Sequence, residues 1–493
     1  MLEALPSAQW NTATAAHLMN RAGFGGSPQD IENLRLMGLN RAISWFVDYE
    51  KIPDPTPAPD CASPDPRLIA QRQAIMRAAD PDTRRELQRQ ENIADNTDIA
   101  DLRYWWIRRM ALGSRPFQEK MTLFWHGHFA TSYEKVRMPF YLWQQNETFR
   151  QNATGRFNDL LIAVSEDPAM LRYLDGANSY KNKPNENFAR EVMELFTLGE
   201  GHYTEQDIQQ AAKAYTGWGL DADQLHYQYH RNNHNEEIKT IFGQTGNFDG
   251  EDVLNMICDR PDCAQYITAK IWRFFVQDQP PQAVVQALAA DFQKHGMDIK
   301  YLMRRIFLSK EFYAKDVIRS QIKSPLQWLL AAVHQLQAPV PTQPMTLVIL
   351  SLLGQELFQP PNVKGWDGGI AWITTNSLLD RYNFAATLVE GDRVPIPGLK
   401  GKMQGVLNSM SDDNHEGLLQ IAPADVRSLF TTLDLSTPDN FLNALQARFL
   451  NADLQSNRLD SMRDFIKTRS PIEDSDIRKS IRLLMSTPEY QLT

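Results

Sequence analysis

Apolar residues recur at helical spacing along most of the chain. One face of each such stretch is apolar and the other polar, which is typical of helices packed on a core. Ser27 before Pro28 also marks a helix start, because a hydroxyl can cap the first turn and proline fits it. The stretches with this pattern are residues 31–50, 68–113, 116–129, 251–340 and 423–493. The pattern predicts a mainly α protein, a globular bundle or layered arrangement of many helices.

One region departs from the helical pattern. Residues 220–250 are rich in aromatic and β-branched side chains, among them Tyr227, Tyr229 and Ile241. Such residues favour strands. We therefore expect at most a short β-hairpin near residues 224–245.

Two polar stretches divide the chain. Residues 51–67 contain six prolines and are predicted to be a linker or surface excursion. Residues 391–422 are polar, contain glycine, and are predicted to be a second linker. The remaining segments are an N-terminal helical segment (1–50), a central helical core with the motifs (68–390), and a C-terminal helical segment (423–493) that packs on the core.

Composition narrows the class of protein. The chain has 493 residues and a formal net charge of −9, which argues against a nucleic-acid-binding surface. Hydrophobic residues make up 42% and charged residues 23%, so the chain is globular. Three cysteines (Cys61, Cys258, Cys263) form neither a disulfide framework nor a CxxC zinc motif. No apolar run predicts a transmembrane segment, and the absence of a signal-peptide pattern predicts a cytoplasmic protein.

The clearest motif is NENFAREVMELF, at residues 185–196, where Asn185 is predicted to cap a helix. On a regular helix Asn187, Glu191 and Glu194 occupy positions i, i+4 and i+7 and share a face, with Arg190 beside them. Two carboxylates with these neighbours could act as acid and base or bind a metal. A solvated helix face or a buried ion-pair network is the alternative.

Three histidines are candidate metal ligands. His126 and His128 flank Gly127, and a regular helix would direct them about 200° apart, whereas an extended segment would direct them to one side. His202 stands in the loop just before Thr204, the predicted cap of the next helix. The alternative is buried or loop histidines that satisfy their own hydrogen bonds. The cofactor is left open, with a divalent metal as one candidate.

A third motif, QPPNVKGWDGG at residues 359–369, is predicted to be a loop. It lacks the Gly-Lys-Ser/Thr of a phosphate-binding P-loop, but Lys364 and the amides near its glycines could bind an anion. Together with Trp218, Trp366 and Trp372, Lys364 is predicted to contact a substrate in a cleft. The alternative is a structural loop that packs its tryptophans into the core.

The motifs taken in order resemble a large bacterial family called domain of unknown function 1800. The matching segments are HLMNRAGFG, FWHGHFATSYEKV, NENFAREVMELFTLGEGHYTEQDIQQAAKAYTGW and FQPPNVKGWDGGIAWI. The resemblance implies a mainly helical, uncharacterised bacterial protein. It also implies a nearby gene for a sulfatase-like protein and, in many members, an export signal. The N-terminal pattern predicts no such signal here, and the chain has His234-Asn235 where relatives tend to have His-Asp.

Two functions are compatible with these residues. The first is a non-catalytic helical binding or assembly protein that acts with the sulfatase-like partner, in the cytoplasm or, by analogy with the family, in the periplasm. The alternative is a hydrolase-like enzyme with a His, Glu and Arg cleft lined by Trp and Tyr. In the enzyme Glu191, Glu194, Arg190 and Asn187 would be catalytic, and a metal bound by His126, His128 and His202 would activate water.

Overall fold

The computed structural model confirms a mainly α fold. It describes residues 2–63, 74–75, 80–221, 223, 225–391, 421–431, 435, 437–452, 454–467, 469 and 472–493. Most of the predicted polar linker at 391–422 lies outside these residues. The predicted division of the chain into segments stays a prediction. No helix in the described part is both long enough and apolar enough to span a membrane.

The helices of the first half surround the motif segments. They are α1 (Thr12–Ala22), α2 (Pro28–Met37), α3 (Leu39–Val47), α4 (Pro81–Leu112), α5 (Pro116–His128), α6 (Tyr133–Val136), α7 (Pro139–Gln151), α8 (Phe157–Ser165), α9 (Pro168–Tyr173), α10 (Glu186–Glu191) and α11 (Glu205–Ala214). Asn185 caps α10 by accepting a hydrogen bond from the Asn187 amide, and Thr204 caps α11, as the sequence predicts.

The second half is helical as well. Its helices are α12 (Gly250–Cys258), α13 (Pro261–Phe275), α14 (Gln282–Lys294), α15 (Ile299–Leu308), α16 (Pro325–Leu336), α17 (Gln343–Leu353), α18 (Thr375–Glu390), α19 (Pro438–Phe449), α20 (Ser456–Lys467) and α21 (Asp474–Met485).

Two small antiparallel hairpins lie between α11 and α12. Strand β1 (Trp218–Leu220) pairs with β2 (Tyr227–Tyr229), and β3 (Lys239–Ile241) pairs with β4 (Gln244–Gly246). The first hairpin begins earlier than predicted, at a segment that the sequence pattern assigns to a helix end. Gly217 has a positive φ of 87° there, and a side chain would meet the His230 carbonyl oxygen. The chain therefore turns from helix to strand at a glycine.

Helix α5 is buried on all sides because it lies between two hydrophobic clusters. Phe117, Met121 and Trp125 belong to the cluster built mainly from α1–α3 and α8–α15. Leu123 belongs to the second cluster, built mainly from α4, α16–α18 and the C-terminal helices. A helix that is covered all round lies at the centre of a fold. The histidines at its end are therefore interior residues.

The described part of the proline-rich stretch is held against α4 and the start of α5 by hydrogen bonds. The indole of Trp105 donates a hydrogen bond to the Pro57 carbonyl oxygen at 2.7 Å. Ser114 and Arg115 donate to the carbonyl oxygens of Pro53 and Ile52. Backbone carbonyls that have no partner in regular structure are thereby satisfied by the junction of α4 and α5.

Candidate functional site

Two motifs meet at the C-terminal end of α5. Gly365, in the loop at 359–369, has a positive φ of 81° and lies against the backbone of Gly127. A Cβ atom at Gly365 would overlap the Gly127 carbonyl oxygen. Only glycine permits this approach together with this φ. The contact fixes the loop against the last turn of α5, where Trp366 lies beside His126.

His126 is a buried histidine that binds the backbone of Phe358, the residue directly before this loop. Its Nε2 accepts a hydrogen bond from the Phe358 amide at 3.0 Å, and its ring lies 5.7 Å from that of Trp366. Burial, followed by the charge of Arg103, lowers the pKa of His126 to about 3. The ring is therefore neutral. Because Nε2 accepts the hydrogen bond from the Phe358 amide, the proton of the ring is on Nδ1.

Phe358 itself adopts the left-handed region, with φ of 59°. Its amide donates to His126, and its carbonyl oxygen accepts from the Tyr133 amide at 2.8 Å. Arg103 donates to the neighbouring Leu357 carbonyl oxygen at 2.8 Å and pairs with Glu356 at 2.6 Å. Such strained residues persist when their surroundings fix them. The entrance to the loop is thus held in place from both sides.

His128 faces a different neighbour, as the helical spacing predicts. Its Nε2 lies 2.9 Å from the Phe196 carbonyl oxygen, so Nε2 carries the proton and donates. The ring centroid of Tyr266 is 6.3 Å away. Burial, followed by the charge of Lys270, lowers the pKa of His128 to about 3.

The two α5 histidines predict loss of stability in acid. Unfolding returns each pKa from about 3 to about 6.5, so the unfolded chain binds more protons between these values. Their contribution to the free energy of unfolding is complete above pH 6.5 and is lost towards pH 3, on the order of 5 kcal/mol for each histidine. Between pH 7 and pH 4, we expect the melting temperature of His128→Gln to fall by less than that of the wild type. His295→Gln, at an exposed histidine, should retain the wild-type slope. Equal slopes for His128→Gln and the wild type would contradict this assignment.

His202 lies apart from these two histidines. Its Nδ1 is 3.2 Å from Asp262 Oδ1, and the side chain is exposed. Within the described ranges, no three His, Cys, Asp or Glu side chains are grouped so that they could hold a metal ion. The structure therefore does not bring His126, His128 and His202 to one point. Their assignment as metal ligands stays a prediction.

The motif helix is not regular along its length. Residues Val192–Thr197 form a π-helix, and the Thr197 hydroxyl donates to the Val192 carbonyl oxygen at 2.6 Å. The expected i, i+4, i+7 face of one α-helix is therefore interrupted between Glu191 and Glu194. Turns of π-helix are frequent at functional sites.

The two glutamates of this helix still influence each other. Burial and the charge of Glu194 raise the pKa of Glu191, while Arg190 and Lys364 oppose that shift. Glu194 accepts a hydrogen bond from the Tyr203 hydroxyl at 3.0 Å. Among the described residues, the Glu191 carboxylate has no hydrogen-bond or ion-pair partner. It is the one glutamate of the pair that is free to meet a ligand.

Arg190 and Asn187 are engaged within the protein. Arg190 donates two hydrogen bonds to Glu205, at 2.8 and 2.7 Å. The Asn187 side chain donates to the Leu174 carbonyl oxygen at 3.3 Å. Both contacts tie the motif helix to its neighbours.

Lys270 is a site residue that the sequence analysis missed. It lies on α13, half-buried, with its ammonium 5.2 Å from the ring centroid of Tyr266. The Tyr266 hydroxyl donates to the Leu195 carbonyl oxygen at 2.7 Å, which joins α13 to the π-helix. The available signal was a lysine inside the otherwise apolar run ITAKIWRFF.

The tryptophans divide between core and loop. Trp218 is 4% exposed and packs on the rings of Tyr215 and Phe188, at 5.2 and 6.0 Å. It also borders an open cavity of about 470 Å³ beside the first hairpin. Trp366 and Trp372 are half-buried in the loop region, where Trp366 contacts His126. Trp366 therefore lies in the same loop as Lys364. Trp218 lies in a different environment, beside the first hairpin.

The departure at His234-Asn235 concerns a buried turn. His234 Nδ1 lies 2.8 Å from the Thr216 carbonyl oxygen. The Asn235 amide donates to the Thr216 hydroxyl at 2.8 Å, and its side-chain oxygen accepts from the Glu237 amide at 3.0 Å. An aspartate could accept that last bond equally, so the asparagine keeps the turn and removes a charge.

Comparisons with known proteins bear on the family alone. No curated protein and no solved structure matches the chain. A family described as Protein of unknown function (DUF1800) matches residues 17–492, nearly the full length. This match confirms the resemblance read from the motifs, and the chain belongs to that family.

Proposed function

We propose that the protein is a non-catalytic helical binding protein. The observation that carries this proposal is that most motif side chains are used within the molecule. Arg190 bonds to Glu205, Glu194 to Tyr203, and His126 to the Phe358 amide. Side chains held in this way fix the positions of helices and loops and are not poised to react.

The binding surface in this proposal is the motif surface, defined as Glu191, Lys270, Lys364 and Trp366. Among the described residues, the charged groups of Glu191, Lys270 and Lys364 have no hydrogen-bond or ion-pair partner. Charged groups held free at a fixed position provide specificity and steer association. The family resemblance makes a sulfatase-like protein encoded nearby the proposed partner.

A second candidate function is a hydrolase-like enzyme. The observation that favours it is the unpartnered Glu191, because burial and Glu194 raise the pKa of this carboxyl towards the range useful in acid–base catalysis. Lys364 lies close enough to influence Glu191 and could bind a substrate anion. A divalent metal remains a proposal for this candidate, and elemental analysis of the purified protein tests it.

Two variants separate the candidates. For the binding protein, co-purification with the sulfatase-like partner should be lost in Lys364→Glu and kept in Lys467→Glu, the matched control at an exposed lysine of α20. For the enzyme, turnover on a panel of aryl esters and aryl glycosides should fall about 100-fold or more in Glu191→Gln and persist in Glu186→Gln. Failure of the wild-type pair to co-purify would contradict the binding proposal. Absence of any turnover would contradict the enzyme.

A further inference from the structure

Lys270 and Lys364 reach the same end of α5 from two directions. Lys364 is placed there by the contact of Gly365 with Gly127. Lys270 is placed there by Tyr266, whose ring lies beneath its ammonium and within 6.3 Å of the His128 ring. The two lysines and the last turn of α5 thus form one cluster, with Arg273 one helical turn further along α13.

The positive charge of Lys270 in this cluster is not paired with a carboxylate among the described residues. Within the described residues, neither a carboxylate nor a hydrogen-bond acceptor contacts the Lys270 ammonium. Burial, followed by the charges of Arg273 and Lys364, lowers the pKa of Lys270, so both of these cations repel its ammonium. Half-burying an ammonium beside like charges is unfavourable unless an anion compensates it.

A second observation at the same place concerns His128. Its Nε2 donates to the Phe196 carbonyl oxygen, which leaves Nδ1 as a hydrogen-bond acceptor. Nδ1 is buried and has no partner among the described residues, and His128 is 7% exposed. An unsatisfied buried acceptor calls for a donor, whether from water or from a ligand hydroxyl.

We propose that Lys270 and Lys364 form a binding site for a phosphate group, with the Tyr266 ring as its floor and His128 at its edge. The inference rests on the proposed function and names the chemistry that the motif surface recognises. A divalent oxyanion matches two ammonium groups, which bind phosphate as point charges. Hydrogen phosphate also carries a hydroxyl, which is the kind of donor that the unprotonated Nδ1 of His128 requires.

Isothermal titration of the purified full-length chain with inorganic phosphate tests the site directly. We expect saturable binding by the wild type and binding weakened about tenfold or more in Lys270→Met and Lys364→Met, because each variant removes a charged hydrogen-bond donor. Lys364→Arg keeps the charge and should retain binding, and Lys467→Met should match the wild type. A parallel titration with phenyl phosphate distinguishes the source of the group. Tighter binding than inorganic phosphate would identify an esterified ligand, and equal binding would identify free phosphate.

The alternative role of these lysines is to stabilise the C-terminal end of α5. In that case Lys270→Met would lower the melting temperature without phosphate and leave phosphate binding unchanged, which would overturn the proposal. Undetectable binding of both phosphate compounds by the wild type would overturn it as well. Co-purification with a protein partner is measured without phosphate. A failure of phosphate binding can therefore be distinguished from a failure of the proposed binding function.

Discussion

Glu119→Gln is expected to lower the free energy of unfolding by about 3–5 kcal/mol, the usual effect of breaking a buried ion pair from one side. Glu119 is 2% exposed on α5. Its carboxylate accepts from Arg109 at 2.6 Å, from Arg150 at 2.8 Å and from the Trp106 indole at 2.8 Å. Burial alone would raise the pKa of Glu119, but the charges of Arg150 and Arg109 lower it. Glutamine would leave both buried guanidinium groups without this counter-charge.

Urea unfolding followed by near-ultraviolet circular dichroism measures this effect. Glu86→Gln is the matched control, because Glu86 pairs with Arg89 on the exposed part of α4 and such pairs contribute about 0–1 kcal/mol. An unfolding midpoint equal to that of the wild type would show that Asp54 and Glu147, the other partners of these arginines, suffice. The network joins α4, α5 and α7, so we expect its loss to loosen the site as well.

Gly365→Ala is expected to destabilise the protein by about 2–5 kcal/mol or to detach the 359–369 loop from α5. The left-handed φ contributes about 1–2 kcal/mol, and the overlap of the new Cβ with the Gly127 carbonyl oxygen adds the effect of overpacking. Detachment would expose Trp366 and release Lys364 from its fixed position. Tryptophan fluorescence and limited proteolysis of the loop report this change.

Two alanine variants isolate the clash. Gly243 has a comparable positive φ of 76° but open space around a Cβ, so Gly243→Ala measures the backbone effect alone. Gly127 lies in α5 with open space around its own Cβ, so Gly127→Ala should be neutral or stabilising by up to about 1 kcal/mol. If Gly365→Ala and Gly243→Ala lower the free energy of unfolding equally, the close contact has no energetic consequence.

The two residues changed in these variants lie in or against the buried helix α5. Helix α5 carries Glu119 at one end of its buried length and the two histidines at the other. The loop that brings Lys364 docks on the same helix through Gly127. The position of the motif surface is therefore set by interior contacts, and a ligand would meet a surface that is already organised.

The sequence by itself determined the elements and the family. Asn185 and Thr204 cap their helices as predicted, because a cap needs only a side chain and an amide two or three residues away. The sequence left open whether His126 and His128 share a direction, and the structure places both in α5 with different neighbours. Hydrophobic periodicity gave a mainly α fold, since a repeat of 3.6 residues is a local property.

Tertiary structure alone decided which polar groups are free. His126 bonds to an amide 232 residues away, and the loop bearing Lys364 docks on a glycine far from it in sequence. Lys270 lies in no sequence motif, and only the fold shows that its ammonium lies over the Tyr266 ring and that its charge acts on His128. Within the π-helix, the Leu195 carbonyl oxygen accepts a hydrogen bond from Tyr266 of α13, a contact between residues 71 positions apart in sequence. Spacing along a chain determines bonds within a turn or two, whereas burial and charge pairing depend on contacts that only the packed fold creates.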